Sequence, residues 1–126
     1  MPAPELTIFE ADAAKADYTL RYSYEWSVAA KRGTPVLRAD LTRVYFYAKA
    51  NELDAEAWLA LTDEDATEIE WLDAALGKIR IHFPPGTEGE AGAGQQYELR
   101  LKFADGSFLT VERGTLNVLN SLIDTP

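Results

Sequence analysis

The sequence predicts an all-β fold, an antiparallel sandwich or small barrel of about seven or eight short strands. Three observations predict it. Several runs alternate apolar and polar side chains with a period of two, as a strand with one buried face requires. Glycine, proline and Asp-Gly signals punctuate those runs, and almost nothing in the chain reads as helix.

The first strand signal is YTLRYSYEWSV, residues 18–28, in which Tyr18, Leu20, Tyr22, Tyr24, Trp26 and Val28 alternate with polar residues. AAKRGTP then turns the chain, because Gly33 tolerates positive φ and Pro35 fixes its own φ and biases Thr34 toward extended geometry. RVYFYAKA, residues 43–50, is apolar or aromatic on both faces, with Val44, Phe46 and Ala48 on one and Tyr45 and Tyr47 on the other. That pattern predicts a central strand, or one covered on its second face by a partner. AWLAL, residues 57–61, reads as a short strand.

Thr62 followed by Asp63, Glu64 and Asp65 resembles a helix start, a threonine cap with early acids. Ile69 and Trp71 then alternate with Glu68 and Glu70, so at most one helical turn precedes another strand. Gly77 breaks that strand and KIRIHF, residues 78–83, alternates again. The Pro- and Gly-rich segment 84–96 predicts a long flexible loop.

YELRLKF, residues 97–103, directs Tyr97, Leu99, Leu101 and Phe103 inward and Glu98, Arg100 and Lys102 outward. Asp105-Gly106 matches a tight two-residue hairpin turn, and SFLTVER returns as its partner. Gly114 reads as a bulge or sharp bend that re-aims the last strand. One sandwich domain spanning residues 1–126 is expected, with an N-terminal arm at 1–17.

Hydrophobic residues make up 47% and charged residues 26%, a globular composition. The 21 acidic and 12 basic residues give a net charge of −9, which disfavours nonspecific binding to nucleic acid or an anionic membrane. There is no cysteine, which removes disulfides, thiolate zinc sites and a cysteine nucleophile. No secretory signal and no run of about 18 apolar residues is present, so synthesis in the cytoplasm without membrane insertion is expected.

No residue cluster specifies a reaction. His82 is the only histidine, so Ser-His-Asp catalysis would have to run through it; on an alternating strand beside Lys78 and Arg80 it reads as solvent-facing. The acids Asp63, Glu64, Asp65, Glu68 and Glu70 lack the spacing of a calcium loop and read as ordinary solvated acids around a cap. Trp26, Trp58 and Trp71 lie in strand patterns and read as core, whereas Tyr45, Tyr47 or Trp58, if exposed, would form a sugar-binding platform. Two segments stand out as contact candidates. One is the loop, through Pro84, Pro85, Gly86, Gly89 and Gly92. The other is the arm, whose Leu6, Ile8 and Phe9 would add an edge strand to a neighbouring subunit or pair within the chain's own sheet.

Four segments, ADYTLRYSYEWSV (16–28), GTPVLRADLTRVYFYAK (33–49), GKIRIHF (77–83) and QYELRLKFADGSFLTVERGTLNV (96–118), together resemble a family of small immunoglobulin-like β-sandwich domains of tailed bacteriophages and prophages, including the N-terminal domain of upper-baseplate proteins. Asp40-Leu41-Thr42 matches the family pattern. Arg43 stands where a glycine is common, and Leu37-Arg38-Ala39 looks inserted after the proline turn. The resemblance implies an immunoglobulin-like fold and a non-catalytic virion component, in a tail, baseplate or head-associated position, that binds other virion proteins or copies of itself and needs no cofactor. The alternative is a carbohydrate- or receptor-binding module, and a third is a hydrolase using His82.

Overall fold

A computed structural model describes residues 5–9, 14–22, 32–49, 56, 57, 59–83 and 92–119. Eight strands carry the fold: β1 (Glu5–Phe9), β2 (Ala14–Thr19), β3 (Leu41–Lys49), β4 (Leu59–Thr62), β5 (Ile69–Asp73), β6 (Lys78–Phe83), β7 (Gly92–Phe103) and β8 (Phe108–Leu119). They form a five-stranded sheet, order β1-β8-β7-β3-β4, and a three-stranded sheet, order β2-β6-β5. Reading the chain from β2 to β8 as strands B, C, C′, D, E, F and G gives G-F-C-C′ in one sheet and B-E-D in the other, the strand arrangement of an immunoglobulin-like sandwich. All pairings are antiparallel except β1 with β8, which run parallel from Glu5 opposite Thr115 to Phe9 opposite Leu119.

The alternation read from the sequence sets the two inner faces. Val44, Phe46 and Ala48 of β3, Leu99 and Leu101 of β7, and Ile79, Ile81 and Phe83 of β6 are all buried. The sheets meet through aromatic rings. Phe46 stacks on Tyr97 at 5.3 Å between centroids and meets Phe83 of the opposite sheet edge-on at 5.4 Å. Each such pair adds about 0.5–1.5 kcal/mol beyond the area it buries. These aromatic contacts bridge a sandwich that has no cysteine with which to tie its sheets.

β2 begins at Ala14, four residues earlier than its aromatic signal, because Ala16 and Tyr18 already pack on the core while Lys15, Asp17 and Thr19 face outward; it ends at Thr19, and Leu20 and Tyr22 are buried beyond its end. Residues 23–28 of that signal, Trp26 included, lie outside the described residues. The Gly33 turn is present: Gly33 has φ +77°, and Pro35 bridges back to Arg21. The inserted-looking Leu37-Arg38-Ala39 leads into a short 3₁₀ turn at Arg38–Asp40. AWLAL yields the strand Leu59–Thr62, with Trp58 outside the described residues.

No helix forms after Thr62: the Asp65 carbonyl accepts from Glu68 N at 2.9 Å and Ile69 N at 3.1 Å, a single turn that is not continued before β5. The Asp65 side chain also accepts hydrogen bonds from the Thr67 backbone N–H at 2.8 Å and hydroxyl at 2.6 Å, an Asx turn that competes with a helix start. At the β7–β8 hairpin Asp105 and Gly106 do make the turn, but its loop is three residues, not two. Gly106 N donates to Phe103 O at 2.9 Å, Phe103 N donates to Ser107 O at 2.8 Å, and Gly106 takes φ +91°. This is a type I turn closed by a glycine bulge, the second commonest hairpin solution.

Gly114 is neither bulge nor bend. It sits in regular strand directly opposite Tyr97, and β8 continues to Leu119. The bulge lies earlier: Leu99 opposes Glu112 while Arg100 opposes Thr110, so Val111 is the extra residue on β8. The loop prediction also ran too long, because Gly92 to Gln96 belong to β7 and Gly92 opposes Val118. Pro84, Pro85, Gly86 and Gly89 lie outside the described residues.

Candidate functional site

The N-terminal arm resolves into the chain's own sheet. Leu6, Ile8 and Phe9 belong to β1, which pairs with β8, and Leu6 packs against the core. Among the described residues β1 ends the five-stranded sheet, with β8 as its one strand neighbour.

The acids after Thr62 hold the fold. Asp63 has a side chain with no solvent exposure, and its Oδ2 accepts from Arg38 Nε at 3.1 Å and from Trp71 Nε1 at 3.1 Å. Its Oδ1 accepts from the Val44 backbone N–H at 3.1 Å and lies 3.4 Å from Arg43 Nη1. The guanidinium of Arg38 also lies 5.9 Å from the Trp71 ring centroid. This arrangement explains the 3₁₀ turn, which carries Arg38 to Asp63. Glu64 pairs with Arg43 at 3.0 Å and Glu68 accepts from Thr62 N at 3.0 Å. Among the described residues no group of three or more acids or histidines is placed to hold a metal ion.

His82 lies on the outer face of the three-stranded sheet, with Nε2 3.0 Å from Glu70 Oε1. Beside it Arg80 donates to both oxygens of Asp17 at 2.7 and 3.0 Å, which holds the Asp17 carboxyl below the usual range. These charged groups are matched to each other across strands, in the manner of a solvated sheet face.

Inside the sandwich Glu112 shares the inner face of β8 with Gly114 and Leu116, in unbroken alternation up to the Val111 bulge. Its carboxylate accepts from the Tyr97 hydroxyl at 2.6 Å. Tyr18 on the facing strand brings a second hydroxyl to this pair; it is buried and makes no hydrogen bond of good geometry, and the carboxylate acts on it through its field. Burial first, and Glu112 second, push both phenols above their ordinary value.

The outer face of the five-stranded sheet is different. Tyr45 and Tyr47 on β3 project there, opposite Arg100 and Glu98 of β7, and Phe108 projects beside them from β8 opposite Lys102. Phe108 is 48% exposed and Tyr47 39%, large apolar surface for adjacent residues on one face. Arg100 lies over the Phe108 ring at 4.7 Å and Lys102 at 5.5 Å. Tyr45, Tyr47, Glu98, Arg100 and Phe108 line a shallow recess open to solvent. The Tyr45 and Tyr47 rings stand at 87° to each other, and Phe108 is tilted by 36° from Tyr45. They share no plane, and cations cover Phe108, so the surface matches a stacked sugar poorly. It matches a protein interface, where exposed aromatics and arginine are enriched.

Sequence alternation placed Tyr45, Tyr47, Arg100 and Lys102 correctly on this face but missed Phe108. Counting back by twos from the buried Leu116 would put Phe108 inside; the bulge at Val111 reverses the phase. Among the described residues no helix is long and apolar enough to cross a membrane. No known protein-family model matches the chain, and no curated protein matches it at a significant level.

Proposed function

We propose that this domain is a non-catalytic assembly module, a structural component of a tailed-phage virion that docks a neighbouring protein through the outer face of its five-stranded sheet. One observation carries the docking role: the aromatic and basic patch on the outer sheet face, with Tyr47, Phe108 and Arg100 exposed and Tyr45 and Lys102 half-buried beside them. The resemblance of four sequence segments to immunoglobulin-like virion domains supports the setting. The pairing of Asp63, Glu64, Glu68, Glu70 and His82 with groups on neighbouring strands and turns supports the non-catalytic reading.

A double variant, Tyr47→Ser with Phe108→Ser, tests the role because both side chains are exposed and their loss spares the core. The expected result is a soluble protein with an unchanged melting temperature that is incorporated into particles about tenfold less, the scale of losing an interface residue worth somewhat over 1 kcal/mol. Normal incorporation would remove the proposal. Deleting the N-terminal arm is a weaker test, since it strips β1 from the protein's own sheet.

A further inference from the structure

The patch is also the wrong sign for the molecule. The chain carries a net charge of −9, yet Arg100 and Lys102 meet no carboxylate among the described residues and rest instead on Phe108. Glu98, the acid lining the same recess, is engaged by Arg113 at 3.5 Å and by the Thr110 hydroxyl at 3.2 Å. On the opposite sheet, by contrast, Arg80 is held by Asp17 and His82 lies against Glu70. Two cations without a carboxylate, held over an exposed ring beside an aromatic recess, fit a carboxylate with an apolar side chain next to it.

We propose that the patch docks an acidic segment of another protein, its carboxylates facing Arg100 and Lys102 and an apolar side chain seated among Tyr45, Tyr47 and Phe108. This deepens the assembly reading and rests on it. A second copy using the same face is disfavoured, because two-fold pairing would bring the cations of both copies together. A long polyanion such as nucleic acid is disfavoured too, because it extends beyond the local cations into the field of a chain with net charge −9. A short acidic segment stays within about one Debye length of Arg100 and Lys102 and feels chiefly them.

The test is a titration of the whole chain, followed by backbone amide shifts, with three probes: a short glutamate–tyrosine copolymer peptide, its lysine–tyrosine counterpart, and oligodeoxythymidylate. The proposal expects the acidic peptide alone to shift amides around Tyr45, Tyr47, Arg100 and Phe108. That response should weaken by about tenfold between low salt and roughly 0.5 M salt, as screening removes the ionic share. It should also be lost in an Arg100→Glu, Lys102→Glu variant whose melting temperature is unchanged. Equal binding of the lysine peptide or the oligonucleotide, binding elsewhere, no binding, or self-association through this face would each overturn it. The two readings are separable: if the acidic peptide does not bind but the Tyr47→Ser, Phe108→Ser variant still fails to incorporate, only the partner's chemistry is wrong, whereas normal incorporation of that variant removes the assembly reading itself.

Discussion

Replacing Gly77 by alanine should be among the most damaging single-methyl changes available to this protein. Gly77 ends the β5–β6 turn with φ +67° and is buried against two other segments. An added Cβ would lie 2.4 Å from the Leu20 carbonyl oxygen and 2.8 Å from that of Val36. Those backbones have little room to yield. Leu20 N donates to Gly77 O at 2.7 Å, Val36 N donates to Leu20 O at 2.9 Å, and both side chains are in the core. The left-handed conformation costs alanine about 1–2 kcal/mol. Forcing the packed neighbours apart adds about 1–3 kcal/mol, so the total is about 2–5 kcal/mol. Gly106 provides the control, with φ +91° and open space where a Cβ would go. Gly106→Ala should therefore lose only the conformational share, about 1–2 kcal/mol. Urea unfolding of the two variants beside the parent measures both. Equal losses would refute the claim that close approach of three backbones, and not φ alone, requires Gly77.

Other outcomes follow from the buried polar groups. Asp63→Ala should cost about 1–3 kcal/mol, because it leaves the Val44 N–H and the Trp71 indole N–H without their acceptor while Arg38 and Arg43 keep access to solvent; thermal unfolding measures the loss, and tryptophan fluorescence should change with it. Tyr97→Phe should destabilise by about 1–3 kcal/mol, because it takes away the hydroxyl donor to Glu112. Tyr18→Phe should be nearly neutral, since its hydroxyl is buried without a hydrogen bond of good geometry; matched urea titrations of the two variants separate these cases. The same two phenols make stability fall at high pH. Burial holds them protonated in the folded state above the ordinary value of about 10. The unfolded chain therefore releases these protons first, and the stability they contribute is intact below about pH 10 and lost above it. Unfolding measured from neutral pH to pH 11 should show that decline, and the Tyr97→Phe, Tyr18→Phe double variant should flatten it.

The strands were legible wherever burial follows a period of two. KIRIHF shows this best: Ile79, Ile81 and Phe83 are buried in alternation, as the pattern requires. What escaped the sequence depends on partners far along the chain. LTIFE reads equally well as an arm or a strand, and only its pairing with Thr115–Leu119 decides. Arg38 looked inserted because its purpose, reaching Asp63, is tertiary. Gly114 drew the bulge that belongs to Val111, a residue with no conformational signature of its own. That single extra residue explains why Phe108 escaped: it reverses the phase of the strand and turns Phe108 outward to the aromatic patch.

A photo-crosslinking side chain substituted for Phe108, compared with the same group at Leu72, tests the central claim most directly. Both positions are exposed, Phe108 at 48% and Leu72 at 42%, but they lie on opposite sheets. In assembled particles the account predicts a crosslink to a neighbouring protein from position 108 and none from position 72. Crosslinking from Leu72 with none from Phe108 would contradict it, placing the interface on the three-stranded sheet.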